Sequence, residues 1–209
     1  MYPDRGGTYQ CFDQVAVISN IAKWSETVPS FERIPEMMRR AFRKCYEGRP
    51  GVVHLDVPEN IMNTKVKTNI SFLEPHQYRV MQYPGALEEQ VDRAVQLLLD
   101  AKFPIIHAGS GVIHARAFDE LKMVSETLQA MITTSWGARA AISENNPLMI
   151  PMIHIEANNK ARNKADVVLV LGSRLGETDW WGKAPYWNAN QKVIQVDIDP
   201  DTFGANKPV

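Results

Sequence analysis

The fold is decided by the apolar run Val167–Leu171 (VVLVL), which ends directly at Gly172, Ser173 and Arg174. Five consecutive aliphatic residues lack the alternation of a strand with one wet face, and they are typical of a parallel strand covered on both faces. A glycine immediately after such a strand indicates a turn at its carboxyl end. The run therefore predicts the centre of a parallel sheet with helices on both sides.

Strands and helices alternate on both sides of this run. Helical spacing of apolar residues alternates with short apolar runs, and an irregular stretch precedes the central strand. The helical stripes are 87–99 and 118–128, and the other strands are Pro104–Ala108, Met131–Thr134 and 193–197. This alternation predicts an α/β domain with a doubly wound, Rossmann-like parallel sheet over residues 86–209.

A part of a second α/β domain precedes it. Pro35 suits the first turn of a helix that runs to about Tyr46, and the run at 52–57 reads as a mostly buried strand closed by Pro58. Between this block and the sheet the apolar period is lost, and two prolines interrupt the stretch. We predict a first domain part at 1–65, a linker at 66–85 and the central domain at 86–209.

The composition indicates which kinds of ligand and which cellular compartment to expect. The 209 residues carry a net charge of −1, so nothing favours nucleic acid or an acidic membrane surface. Cys11 and Cys45 form no metal-ligand spacing, and a reducing, cytoplasmic compartment is expected. No apolar run is long enough to span a bilayer. The first ten residues are loop-like, which indicates a piece of a longer protein.

Three loops leave the predicted strands at their carboxyl ends, where ligands of doubly wound sheets bind. Gly109 and Gly111 flank Ser110, and such a turn lets the backbone approach a phosphate closely. Arg174 offers a bidentate contact to phosphate, and Asp197 offers a carboxylate to ribose hydroxyls. Each also has a structural role available, as a tight turn, a solvated charge or a cap of the next turn. The sequence fits both a crevice that binds a nucleotide and a crevice that binds no ligand.

Aromatic residues cluster in the loop after the central strand. Trp180, Trp181 and Trp187 either stack on a planar ligand or partner, or pack together to hold the loop, and packing is favoured. His54 is interpreted as a core histidine with a hydrogen-bond partner. Spacing alone assigns no Ser/His/Asp triad and no pair of catalytic carboxylates.

The sequence of the first domain part resembles the end of the pyrimidine-binding domain of acetolactate synthase and its relatives. The segments that carry the resemblance are YQCFDQVAVISNIAKWSETV at 9–28, RIPEMMRRAF at 33–42 and EGRPGVVHLDVPENI at 47–61. Gln10 lies in the place of the family's Phe-Gln-Glu start, and Lys23 in that of its Ile-Thr-Lys segment. The central domain is similar too, in AGSGVI at 108–113, Thr133 and Thr134, LGSR at 171–174 and VDIDP at 196–200.

The resemblance implies an enzyme that uses thiamine diphosphate and Mg²⁺ to act on 2-oxo acids and that assembles as a homodimer or homotetramer. It places the activating glutamate before this segment and the Gly-Asp-Gly to Asn-Asn anchor of Mg²⁺ and diphosphate after it. The chain contains no Gly-Asp-Gly. We therefore expect a fragment of a carboligase or decarboxylase that is inactive alone.

Candidate site residues follow from the resemblance and from the loops. Gln10 and Lys23 are expected near the substrate channel, although Lys23 as a solvated strand-end charge is equally open. The candidate cofactor-binding residues are Gly109, Ser110, Gly111, Thr134, Gly172, Arg174 and Asp197.

The sequence also bears on flavin binding and on two alternative, non-enzymatic functions. Where members that contain FAD have a glycine-rich stretch, this chain has Pro151, His154 and Ala157, so weak FAD binding or none is expected. The alternatives to the enzyme fragment are a stand-alone nucleotide-binding module and a structural subunit that docks onto a catalytic chain.

Overall fold

The computed structural model describes residues 9, 11–67, 69–81, 83 and 85–209. The chain forms two compact units, Met1–Pro84 and Gly85–Val209. Gln10, one of the predicted site residues, lies outside the described residues. Within the described ranges, no helix is both long and apolar enough to cross a membrane.

The first unit is built on two parallel strands that pair from Trp24↔Val53 to Thr27↔Asp56. A parallel pair needs a long crossover connection, and here a helix provides it. The elements in chain order are α1 (Gln14–Ile18), β1 (Trp24–Thr27), α2 (Ile34–Tyr46), β2 (Val53–Asp56) and α3 (Glu59–Met62). Val28, Met37 and Ile61 form its small buried core.

Helix α2 has the predicted bounds because its ends are marked in the sequence. Pro35 lies in the first turn, where a missing N–H costs nothing. Beyond the last turn, the Lys23 ammonium donates hydrogen bonds to the carbonyls of Glu47 and Arg49. A cation at the carboxyl end of a helix also interacts favourably with the helix dipole.

Part of the predicted linker, 66–85, contacts α2. The Arg43 Nε donates to the Tyr78 carbonyl at 2.8 Å, and the Arg79 guanidinium lies 4.0 Å from the ring centre of Tyr46. The Tyr83 hydroxyl donates to the Tyr46 carbonyl. Whether 66–85 acts as a linker between domains stays a prediction.

The second unit is a four-stranded parallel sheet in the order β4-β3-β5-β6, which confirms the predicted α/β class. Its strands are β3 (Pro104–Ala108), β4 (Met131–Thr134), β5 (Val167–Leu171) and β6 (Lys192–Val196). Its helices are α4 (Glu88–Leu99), α5 (Ser110–Ala115), α6 (Phe118–Leu128) and α7 (Ile155–Lys164). The strand order reverses between β3 and β5, so the carboxyl ends of these two strands form the switch point of the sheet.

Both faces of this sheet are covered. One buried cluster includes Ile106 and Leu169, and the other includes Ile105, Val168 and Trp187. Neighbouring strand residues belong to different clusters because side chains alternate between the two faces. As predicted, the run of aliphatic residues in β5 is continuous because the strand is buried on both faces.

Helix α7, strand β1 and the short helices α1, α3 and α5 were not predicted. Helix α7 lies within the stretch that was interpreted as irregular, and its buried positions are Asn158, Ala161 and Arg162. A helix with a polar buried face gives no apolar stripe. Strand β1 (WSET) is only partly buried and mixes polar with aromatic residues, so it lacks the apolar run that marked the other strands.

Candidate functional site

The predicted glycine loops meet at the switch point between β3 and β5. The Gly109 amide donates to the Leu171 carbonyl at 2.7 Å, and the Gly111 amide donates to the Gly172 carbonyl at 3.0 Å. A Cβ on Gly109 would lie 2.2 Å from the Gly172 oxygen, and one on Gly111 would lie 2.6 Å from the Gly172 Cα. The sheet thus brings the two loops into direct backbone contact.

This contact explains the glycines without a ligand. Gly172 has a φ of +58°, which disfavours any other residue, and a Cβ there would lie 2.5 Å from the Gly111 Cα. Because the Gly111 amide already bonds to the opposite loop, it is not free to donate to a phosphate. The tight-turn interpretation accounts for these positions, and their role in cofactor binding stays a prediction.

Three polar side chains at these strand ends have no hydrogen-bond partner among the described residues. The Thr134 hydroxyl, at the end of β4, is fully buried and has no hydrogen-bond partner. Ser110 and Arg174 are exposed, and within the described ranges their side chains engage in no hydrogen bond or ion pair. A hydroxyl and a guanidinium suit an anionic oxygen of a ligand.

Asp197, which follows β6, makes a local turn. Its Oδ1 accepts a hydrogen bond from the Asp199 amide at 3.0 Å, and the Asp199 carboxylate in turn accepts from the Asp201 amide at 3.2 Å. Such side-chain to backbone bonds are the usual turn chemistry of aspartate. The structural role is therefore observed, while contact with a ribose stays a prediction.

Lys23 lies in the first unit, just before β1. Its ammonium bonds to the backbone carbonyls after α2, and a Cβ on Gly51 would lie 3.2 Å from its side chain. The residue is mostly exposed. These contacts describe a helix-end partner, and a role near a substrate stays a prediction.

A buried polar cluster behind the switch point was missed from the sequence. His107, Asp179 and Arg162 are at most 5% exposed, and Trp187 is 0% exposed. The His107 Nε2 lies 3.4 Å from the Asp179 Oδ1, and its Nδ1 lies 3.0 Å from the Thr133 hydroxyl. The Arg162 guanidinium lies 4.8 Å from the ring centre of Trp187.

Burial and charge decide the protonation of this cluster. Burial lowers the pKa of His107, and Arg162 lowers it further, against the opposite effect of Asp179. Burial alone would raise the pKa of Asp179, but His107, Arg162 and the Ser173 hydroxyl together bring it below its usual value. Asp179 is therefore an anion at neutral pH, and His107 is a neutral imidazole.

The loop that carries Asp179 has an unusual backbone. Trp180, Trp181 and Gly182 all have positive φ values, of 54°, 52° and 63°, and they form one left-handed turn. Trp180 stacks on Tyr186 with the ring centres 4.0 Å apart. Trp180 thus packs within the loop, while Trp180 and Trp181 remain 40% and 43% exposed, and a cluster of all three tryptophans stays a prediction.

A second buried cation holds this turn from the end of the chain. The Lys207 ammonium donates to the carbonyls of Gly182 and Asn188, both at 2.9 Å. Burial lowers the pKa of Lys207. Sequence alone offered no signal for these contacts, because a lysine in a polar tail and an aspartate before two tryptophans have no periodic pattern.

The described residues provide no metal centre. No group of three His, Cys, Asp or Glu side chains among them is placed to hold a metal ion. Two clefts lie away from the switch point. One of about 400 Å³ lies at the amino ends of β3 and β4, beside Pro104 and Met131, and one of about 250 Å³ lies beside Phe31 and Arg39 of the first unit.

The family model and the similar proteins indicate the same family. The model of the "Thiamine pyrophosphate enzyme, central domain" matches residues 91–209, more than half of the chain. The chain is 30% identical over 204 residues to the probable acetolactate synthase large subunit of Methanococcus aeolicus, which is 95% of this chain and 34% of that relative.

Relatives with other named activities match over the same extent. The identity is 29% over 211 residues to the 2-hydroxyacyl-CoA lyase of Arabidopsis thaliana, or 97% of this chain and 35% of the relative. It is 26% over 200 residues to the glyoxylate carboligase of Escherichia coli O157:H7, or 94% and 33%. The chain thus spans about a third of the length of the curated relatives that it matches.

Proposed function

This chain belongs to the family of thiamine pyrophosphate enzymes, and from that premise we propose that it is part of an acetolactate synthase-type enzyme that acts on 2-oxo acids. The match to the central-domain model over 91–209 carries the proposal. The relatives are named as a synthase, a lyase and a carboligase. Because these named activities differ, we propose only a carboligase or decarboxylase and name no donor or acceptor substrate.

The cofactor supplies most of the chemistry in such an enzyme. When bound, thiamine diphosphate provides the carbanion stabilisation that loss of CO2 from a 2-oxo acid requires. The described residues hold no metal-ligand cluster, and the chain contains no Gly-Asp-Gly. We therefore propose that Mg²⁺ and the diphosphate are anchored by residues beyond these, and that the 209-residue chain alone has no turnover.

An assay of two proteins tests both statements. The 209-residue chain and the product of the whole reading frame that contains it are each supplied with pyruvate or glyoxylate, with and without thiamine diphosphate and Mg²⁺. We expect consumption that depends on both additions only for the longer protein. Turnover by the purified 209-residue chain would contradict its incompleteness, and a longer protein that never needs thiamine diphosphate would contradict the class.

The proposed assembly is a homodimer or homotetramer of the parent enzyme in a reducing, cytoplasmic compartment. Cys11 is exposed and Cys45 partly buried, and both are free thiols, which suits a reducing environment. Sedimentation of the longer protein measures its subunit number, and a monomer at micromolar concentration would contradict the assembly.

A nucleotide-binding module is the second candidate. The unpartnered Thr134 hydroxyl and the available side chains of Ser110 and Arg174 favour it. Hydrogen exchange with and without ADP tests it, since bound nucleotide would slow exchange in the loops after β3 and β5. Equal exchange in both loops would leave this crevice without a nucleotide function.

Flavin binding is expected to be weak or absent. Pro151 and His154 precede α7, and Ala157 lies inside it, so none of the three offers the bare backbone of a glycine. A titration that follows FAD fluorescence measures the affinity. Tight binding at one flavin per chain would contradict the expectation.

A further inference from the structure

Asp179 joins the two ends of its own loop to a strand that is distant in sequence. Its Oδ2 accepts a hydrogen bond from the Ser173 hydroxyl at 3.2 Å, and its carbonyl accepts one from the Trp187 indole N–H at 2.7 Å. Its Oδ1 lies 3.4 Å from the Nε2 of His107 in β3. The carboxylate thus links the start and the end of the loop to the centre of the sheet.

The same side chains determine the shape of the loop start. The Ser173 hydroxyl also accepts the Leu175 amide at 3.1 Å, and the Gln195 side chain donates to the Ser173 carbonyl at 3.0 Å. Loss of the Asp179 contact would therefore remove one of three hydrogen bonds that hold Ser173. The effect would reach the exposed Arg174 through the backbone.

Charge in this cluster balances only while His107 is neutral. Asp179 is the one carboxylate within ion-pair distance of His107 among the described residues. Arg162 is a permanent cation in the same cluster, and it and His107 both contact the Trp187 ring, with centres 4.8 and 5.2 Å away. Thr133 and Ser173 contribute only hydroxyl groups. A proton on His107 would place two buried cations in a cluster that holds one carboxylate, which burial disfavours strongly.

We propose that His107 and Asp179 form a buried, proton-sensitive lock that holds the 173–187 loop on the sheet, and that the loop opens when His107 takes up a proton. In the closed protein the His107 Nδ1 and the Thr133 hydroxyl are hydrogen-bonded at 3.0 Å, whereas the buried Nε2, 3.4 Å from the Asp179 Oδ1, makes no hydrogen bond. The inference does not depend on the proposed function, because it requires no ligand.

The direction of the pH effect follows from linkage. The pKa of His107 is lower in the closed protein than in an open one, where it approaches about 6.5. The open state therefore binds more protons, and the stabilisation is complete above about pH 6.5 and is lost as the pH falls towards the closed-state pKa. One proton changes the opening equilibrium by at most about tenfold per pH unit.

Hydrogen exchange of the unmodified 209-residue chain tests the lock. Protection factors of peptides from 173–187 are measured at pH 5.0, 6.0 and 7.0, after correction for the intrinsic exchange rate. We expect protection of the loop to fall by up to about tenfold per pH unit below pH 6.5, while β5 stays protected. Unchanged or rising loop protection on acidification would overturn the proposal.

Two variants identify the group that titrates. His107→Gln keeps a polar side chain beside Asp179 but takes up no proton, so its loop protection should not change with pH. His54→Gln, in the first unit, is the matched control and should behave as the unmodified chain does. If His107→Gln retains the full pH dependence, another group is responsible and the proposal fails.

A third variant tests the charge balance. Arg162→Met keeps an apolar stem near Trp187 but removes the competing cation. Asp179 can then serve as the counter-ion of protonated His107, so the loss of protection at low pH should be smaller than in the unmodified chain. An equal or larger loss would contradict the charge argument.

Discussion

Two glycines on opposite loops, Gly111 and Gly172, lie backbone against backbone in the second unit. A Cβ on Gly172 would lie 2.5 Å from the Gly111 Cα, and no flexible side chain is involved that could move away. The requirement for glycine at 172 is therefore double, because φ is positive and the space is filled. Gly204 shares only the first condition, since its nearest neighbour would be 4.0 Å away.

Alanine at these two positions separates conformation from space. We expect Gly204→Ala to lower the free energy of unfolding by about 1 kcal/mol, for the left-handed backbone alone. Gly172→Ala should cost about 2–4 kcal/mol, because overpacking adds to that strain. Denaturant unfolding of both variants measures the difference, and equal costs would show that the loops separate freely.

Asp166 acts at the other end of the sheet. Burial would raise its pKa, but the amides of Lys102 and Phe103 donate to its carboxylate at 2.7 and 2.8 Å and lower it overall. The carboxylate thus holds the turn before β3 against the start of β5. Its stabilisation requires the charged form, so it is present above the unfolded pKa of about 3.9 and lost as the pH falls through the lower folded value.

Asparagine at this position tests that stabilisation. We expect Asp166→Asn to cost about 1 kcal/mol at pH 7, after allowance for solvent screening, and to flatten the loss of stability below about pH 4. Asp92→Asn on the exposed surface of α4 is the control. Urea unfolding at pH 3 and pH 7 compares the three proteins, and an unchanged acid loss in Asp166→Asn would rule out this carboxylate.

Among the elements, α7 and β5 show why prediction from sequence succeeded in one place and not in another. Strand β5 is buried on both faces by aliphatic residues, so its amino acid types reveal its position. Helix α7 buries Asn158, Ala161 and Arg162 instead, and their contacts are specific hydrogen bonds and ring packing. No periodicity of hydrophobic residues records such contacts.

The same difference explains what was predicted of the site. The glycine loops were found because turns after buried strands have a local signature in glycine. The His107–Asp179 contact joins residues 72 positions apart through a strand whose other residues are apolar, so it depends on strand order and on the path of the loop. Neither of these is encoded in local spacing.

Asn158 makes the polar face of α7 testable. Its amide donates to the carbonyls of Pro151 and His154 at 2.9 and 3.0 Å while 3% exposed. Both carbonyls also accept a backbone amide, from His154 and Asn158 respectively, so Asn158→Ala removes only their second donor, and we expect a cost of about 1 kcal/mol. Lys160→Ala, on the exposed side, should stay within about 0.5 kcal/mol. Thermal unfolding compares them, and similar stabilities would show that water replaces the amide.

At the scale of the whole molecule, the two units have unequal cores. The first has three fully buried apolar residues in its cluster, whereas the second has two clusters that cover both faces of a four-stranded sheet. Since buried apolar area provides most of the stability, the first unit should be the less stable one.

Hydrogen exchange of the intact chain tests this difference. We expect amides of β1 and β2 to exchange at least about tenfold faster than those of β3 and β5, through opening of the first unit alone. Two separate thermal transitions would agree with this result. Equal protection and a single transition would show that the chain unfolds as one cooperative unit.

The position of Lys207 has a consequence for synthesis. A ribosome adds it 20 residues after Trp187, an interval of about 1–4 s at usual elongation rates. Until then, the carbonyls of Gly182 and Asn188 lack their ammonium donor. The left-handed turn, with its two half-exposed indoles, therefore cannot be clamped before Lys207 has been added, and a chain that ends before this residue leaves the turn unclamped.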